Sequence, residues 1–136
     1  MEATCILQPV LAMVLLHVVV LVWMLATRGK AMGEAGLTLE NGKHTVDMNS
    51  LPDPARQIAD NYNHLFEVPT VFYALVFYIW AMGHADSIHV YCAWGFFGSR
   101  VLHSVVQGTI NRVTIRFPLF AIGWLMIVIM AVRELF

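Results

Sequence analysis

Asp60-Asn61-Tyr62-Asn63-His64-Leu65-Phe66-Glu67-Val68-Pro69 is the stretch that decides how this chain is read. It leads into an apolar run, Leu65 to Gly83, and it carries a carboxylate, Glu67, just inside that run. A charged side chain at the centre of a bilayer costs roughly 2.5–3.5 kcal/mol on insertion scales, and less near the interface, so it faces protein or a water-filled cavity. Asp60, Asn63, His64 and Glu67 are spaced i, i+3, i+4 and i+7, which puts all four on one face of a continuous helix. Pro69 falls near the start of the apolar run, where a helix tolerates proline best. The stretch therefore reads as the entry of a membrane span with a polar face, and the rest of the chain must supply what that face meets.

Composition agrees. Of 136 residues, 59% are hydrophobic and only 12% charged, and the mean hydropathy is +0.68. A soluble domain carries about 25% charged residues. The length suits one small domain covering 1–136. A net charge of −1 argues against a nucleic-acid partner, which would want a basic face. There is no zinc-ligand spacing and no glycine-rich phosphate loop. Cys5 and Cys92 both fall near the start of an apolar run on the same membrane side, so a bridge is conceivable, but inert buried thiols are the expectation.

Four apolar runs give an all-α integral membrane four-helix bundle, with helices at about 6–27, 56–83, 88–110 and 114–133. The first is too long for a signal peptide, has Glu2 where a basic n-region would stand, and is followed by Arg28 and Lys30. His17 near its middle reads as a neutral histidine bonded to a neighbouring helix rather than a proton relay, since no second ionisable group lies on that helix. Residues 28–55 form the long polar connection, either a lid or a plain connector, with room for short helical turns. The turn Gly83-His84-Ala85-Asp86-Ser87 is short, with Asp86 or Ser87 as N-cap, so the second and third helices should be antiparallel neighbours. Gly95 and Gly98 suit close helix approach. Lys and Arg concentrate in the first and third connections, and the second has none. The positive-inside rule then places those two connections in the cytoplasm and both termini outside, in an inner or cell membrane.

On this plan Arg100, His103 and Gln107 share one face of the third helix at i, i+3 and i+7. Arg112 and Arg116 open the fourth at i, i+4, and Glu67 lies at the same membrane side. One reading is an ion-pair network in which Glu67 neutralises Arg100, with Arg112 and Arg116 reaching to lipid headgroups. The other is an anion site open to the cytoplasm, because guanidinium binds carboxylates bidentately and stays charged at any working pH.

Three pieces of sequence resemble the MAPEG family, the membrane-associated proteins of eicosanoid and glutathione metabolism. They are Asn63-His64-Leu65-Phe66-Glu67-Val68-Pro69, Arg100-Val101-Leu102-His103-Ser104, and Arg112 with Arg116 and Pro118. Phe66 to Tyr73 looks most like the family's uncharacterised bacterial branch. The resemblance implies a homotrimer that holds glutathione at subunit interfaces and uses it against a lipophilic small-molecule substrate from the surrounding lipids. It implies that Glu67 meets the glutamyl amine, that Arg100 and His103 line the site, that Arg112 holds a carboxylate and that Arg116 stabilises the thiolate. Asn63, His64 and Gln107 would complete the cofactor contacts, and Arg28 stands where relatives often carry an arginine. The departures are His64 in place of the family's asparagine, Gln107 in place of its tyrosine, and Phe117 where some active relatives carry a hydroxyl. The expectation is a glutathione-dependent transferase or peroxidase. The alternatives are a non-catalytic lipid-binding protein of the same fold and a purely structural membrane protein. A transporter is disfavoured because no inverted repeat and no broken helix pair is visible.

Overall fold

The computed structural model describes residues 5–136, and the opening four residues, with Glu2, lie outside it. Every regular element among the described residues is helical. Helix α1 spans Gln8–Glu34, with Pro9 in its first turn, where a missing N–H costs nothing. Its buried stripe is Pro9, Met13, Val20 and Met24, while Leu11, Leu15, Val18, Val22 and Leu25 stay exposed. A helix apolar all round suits a lipid setting.

α1 continues past the expected end at Thr27, taking Arg28 and Lys30 into the helix. Ala31 and Met32 in its last turns pack on Met48, Leu51 and Ala55, which accounts for the extra turns. The connection shrinks to residues 35–52. It reverses at Gly36, whose φ of 66° suits glycine, and holds two 3₁₀ turns, Leu39–Gly42 and Thr45–Ser50.

The second span differs most from expectation. It is two helices, α2 (Asp53–His64) and α3 (Val68–Met82), separated by a break at residues 65–67. Pro69 causes it. Proline has no N–H for the carbonyl four residues back, and its ring clashes with that carbonyl. Here that residue is Leu65, and its freed oxygen is 2.8 Å from His17 Nε2 on α1. His17 Nδ1 reaches Met13 O at 2.7 Å, and the ring meets Phe66 edge-on at 5.0 Å between centroids. His17 thus reaches across to the break in the second span, where its partner is the backbone carbonyl that proline released; Met13 O competes for the ring, because a neutral imidazole has one N–H to donate.

Helix α4 is Ser87–Gly108, capped by Asp86, which accepts the His89 backbone N–H at 2.8 Å. Helix α5 is Val113–Leu135. The core stacks Phe72 on Phe96, 4.3 Å between centroids, and adds Met13, Val76, Ile79, Ala93, Ile127 and Met130. Trp23 of α1 lies against Gly108, where an added Cβ would come within 2.4 Å of the indole. Gly95 faces Met126 of α5, whereas Gly98 faces open space.

Three segments are long and apolar enough to cross a membrane: Gln8–Glu34, Asp53–Met82 and Val113–Leu135. The expected fourth, α4, is the exception because of its polar stripe. Ser99, Arg100, His103, Ser104 and Gln107 are all buried against the other helices. α4 turns its polar stripe inward and keeps apolar residues such as Tyr91, Leu102 and Val105 on its exposed side.

Candidate functional site

The buried stripe of α4 meets the break in the second span and the first turns of α5. Between them lies a cavity of about 170 Å³, lined by His64, Glu67, Val68, Arg100, His103, Val113, Arg116, Phe117 and Phe120. Each polar group has a local reason for its place. The 3₁₀-like turn that Pro69 imposes, with Phe66 N–H on Asn63 O at 3.0 Å and Glu67 N–H on His64 O at 3.3 Å, swings Glu67 out of the α2 register to the mouth of the cavity. His64 ends α2, half-buried, with Nδ1 3.2 Å from Gln107 Oε1. Its ring is 6.4 Å from that of His103.

Arg100 is only 2% exposed. Its guanidinium carbon stands 5.4 Å from the Phe96 ring centroid and 5.6 Å from that of Phe120. Both rings offer the cation a π-face. Among the described residues, Nε and Nη2 find no hydrogen-bond acceptor. Gly123 of α5 makes room for the group: a Cβ there would stand 3.5 Å from Nη2 and 3.6 Å from Nε. The expected ion pair of Arg100 with Glu67 is not formed within 4 Å among the described residues. The break leaves Glu67 exposed at the mouth while the aromatic rings hold the guanidinium inside.

Arg116 sits in the first turn of α5, where the helix dipole also favours an anion. Nη1 donates to Asn111 Oδ1 at 2.7 Å. Asn111 adopts φ 46°, in the left-handed region that asparagine tolerates better than most residues, and so closes α4 and aims its amide at Arg116. Sequence reading missed Asn111; its signal is an asparagine in the short turn between α4 and α5. It also missed Asn61, which is fully buried with both amide atoms unpartnered.

Four residues of the expected set, Arg28, Asn63, Gln107 and Arg112, stand away from the cavity. Arg112 precedes α5 with extended backbone and is exposed, so it does not stack with Arg116 on a helix face. Asn63 lies on the other side of α2. With Arg28, Arg56 and Asp60 it lines a separate small cleft under Met48 and Leu51. The one-face alignment of Asp60, Asn63, His64 and Glu67 required an unbroken helix, and the break divides it. Gln107 is 1% exposed and joins the site only through His64.

At the far end of α4 is a second polar cluster that sequence reading did not single out. His84 Nδ1 is 2.9 Å from Glu134 Oε2, His89 lies 2.9 Å from Asp86 Oδ1 and 3.5 Å from Glu134 Oε1, and Arg133 bonds Asp86. The Asp86 carboxyl is held below the usual aspartate range, first by the His89 backbone N–H and then by the neighbouring His89 and Arg133 charges, against opposition from burial.

The MAPEG family model matches residues 6–136, nearly the whole chain. This chain belongs to the MAPEG family. It is an all-α integral membrane protein of the four-helix-bundle type, and the cavity lies where the family-like motifs of the second, third and fourth helices meet. No curated protein and no solved structure matches it.

Proposed function

We propose that this MAPEG protein binds glutathione in the cavity between the broken second span, α4 and α5, and presents its thiol to lipophilic electrophiles, as a transferase or peroxidase. The observation that carries the reading is the charge pattern. Two guanidiniums and one carboxylate face a single small cavity, and two N–H groups of the buried Arg100 have no acceptor. An unsatisfied buried donor costs about 1–3 kcal/mol, more when charged, and an anionic ligand removes that cost. Glutathione carries two carboxylates, an amine and a thiol. Glu67 at the mouth suits the amine, Arg100 suits a carboxylate, and Arg116 suits the thiolate. A thiol of pKa about 8.5 is mostly protonated at neutral pH, and an adjacent fixed cation raises the thiolate fraction.

A cavity of about 170 Å³ is below the ~300 Å³ at which ligand pockets begin. Part of the tripeptide would lie outside it, so the reading includes a homotrimer in which a neighbouring subunit completes the site. A neighbour is also where the exposed Arg112, and Arg28 with Asn63, would find a role. The long connection and the arginine-bearing turn before α5 face the cytoplasm in this reading, with both termini outside. A second reading, a protein that binds an acidic lipid without catalysis, is favoured by the apolar walls Val68, Val113, Phe117 and Phe120.

Calorimetric titration of glutathione into detergent-solubilised protein separates the two. Saturable binding that weakens in Arg116→Ala and Glu67→Gln is expected. Absence of saturable binding, or affinity unchanged in both variants, would overturn the glutathione reading, and a co-purified acidic lipid in the cavity would favour the second.

A further inference from the structure

The contact between His64 and Gln107 fixes more than a side-chain position. Gln107 is 1% exposed, and its Oε1 stands 3.2 Å from His64 Nδ1. An amide oxygen only accepts, so Nδ1 carries the hydrogen. In the neutral ring Nε2 then holds the lone pair, and His64 lines the cavity. The other titratable or charged groups that line the cavity with His64 are Glu67 at the break, Arg100 and His103 on α4, and Arg116 on α5. Two of these are guanidiniums, which stay protonated and accept nothing. His103 makes no side-chain hydrogen bond among the described residues, so nothing selects its tautomer. Glu67 is exposed at the break, and a carboxylate is in general a weaker base toward a thiol than imidazole.

We infer that His64, oriented by Gln107, is the proton acceptor for the acidic X–H group of the ligand in this cavity, a thiol on the reading given above, on which this inference rests. The step is a proton transfer. The S–H bond breaks, the electron pair stays on sulfur, and the proton forms a new N–H bond at Nε2. The products are a thiolate beside the Arg116 guanidinium and an imidazolium on the Glu67 side. No net charge is created in the cavity, which matters where water is scarce, since an unpaired charge in a low-dielectric site costs several kcal/mol. Gln107 is a positioning residue, because it acts only through the ring it holds.

The test counts protons. Glutathione is mixed with detergent-solubilised trimer or monomer, whichever forms, in weak buffer near neutral pH. Thiolate is followed by its ultraviolet absorbance, and released protons by an indicator dye. Wild type should form thiolate with well under one proton released per thiolate, because His64 keeps it. In His64→Asn thiolate should appear ~10²-fold more slowly, the lower range of a general-base contribution, with a full proton released for each. Gln107→Glu, which can only accept, should keep the proton inside, whereas Gln107→Leu should behave like His64→Asn with unchanged helix content. Binding with a full proton released by wild type, or a His64→Asn protein indistinguishable from it, would overturn the proton-acceptor role and leave the glutathione site standing. No glutathione binding at all by wild type would overturn both.

Discussion

Two ends of one helix bundle gather the same kinds of side chain and treat them oppositely. At the Ser87 end of α4, His84, Asp86, His89, Arg133 and Glu134 lie within ion-pair distance of one another, so that both carboxylates have two cationic or histidine neighbours, although neither ring nitrogen of the buried His89 meets hydrogen-bond geometry. About 25 Å away along the axis of α5, seventeen helical steps of about 1.5 Å from Arg133 back to Arg116, Arg100, Arg116, His103 and Glu67 surround a cavity without closing. Arg100 keeps two donors unsatisfied, and Glu67 pairs with nothing within 4 Å among the described residues. A closed network clasps the C-terminal end of α5 to the start of α4. The other surrounds a cavity and, on the proposed reading, is completed by a ligand. The difference between a clasp and a site is which charges have been left over.

The largest effect should come from the leftover charge. Arg100→Met replaces a buried guanidinium with an apolar side chain of similar length. Loss of a charged hydrogen bond to a ligand carboxylate should weaken glutathione binding by ~10²-fold, about 2–3 kcal/mol. The unliganded protein should meanwhile melt at the same or a higher temperature, since removing an unpaired buried charge removes a cost. A fall in both binding and melting temperature would mean that Arg100 is part of a closed network after all.

The matching change at the other end should do the reverse. Glu134→Ala strips a partner from His84 and His89 at once. Stability should fall by about 1–2 kcal/mol, the range for partly buried charged contacts, and glutathione affinity should hold within ~2-fold. Acid should loosen the same clasp. Because the Asp86 carboxyl titrates below its unfolded value, the stability it contributes is present above the unfolded aspartate pKa of about 3.9 and disappears as pH falls through the lower folded value. Melting curves in detergent through the acid range check the sign, and Asp86→Asn should flatten that part of the profile.

Much of the open end was legible in the chain. Arg100, His103 and Gln107 recur at helical spacing on a segment with too many polar residues to face lipid, and that face is indeed the buried one. Glu67 within an apolar run was equally visible. What the sequence concealed was a backbone event. Pro69 stands early enough to pass for an ordinary first-turn proline, and only the third dimension shows that His17, forty-eight residues upstream of Leu65, holds the carbonyl that makes the break tolerable. Once the break is known, the separation of Glu67 from the Asp60–Asn63 face follows. The closed cluster was hidden for a different reason. His84 and Asp86 sit in a turn and Arg133 and Glu134 at a chain end, where charge is ordinary, and nothing local indicates that these segments meet.

A smaller effect would sharpen how the open end is built. His17→Leu should leave the Leu65 carbonyl unpartnered and cost about 1 kcal/mol, near the upper part of the range measured for polar contacts inside membrane bundles. Adding Pro69→Ala should restore an N–H to that carbonyl. The double variant should therefore be more stable than His17→Leu alone, with the break closed and Glu67 drawn back into helix register. Glutathione binding should then weaken although no charged residue has changed. A double-mutant cycle with additive losses would show that His17 and Pro69 do not share the carbonyl.

The smallest predicted effect concerns Gly123. An alanine Cβ there would stand 3.0 Å from Ser99 Oγ and about 3.5 Å from the Arg100 guanidinium. The Ser99 hydroxyl cannot simply turn aside, because it donates to Phe96 O at 2.7 Å. Two terms oppose each other in the fold. Gly→Ala in a helix interior gains about 1 kcal/mol, and the crowding returns a comparable loss, so the melting temperature should barely move. Nothing offsets the second consequence: the new methyl covers Arg100 Nε and Nη2, the very donors left without acceptors. Glutathione affinity should drop ~3-fold, about 0.6 kcal/mol, at constant stability. A loss of affinity without a loss of fold, from a substitution that removes no charge and reaches the cavity only through Arg100, would show that the guanidinium serves a ligand rather than the fold.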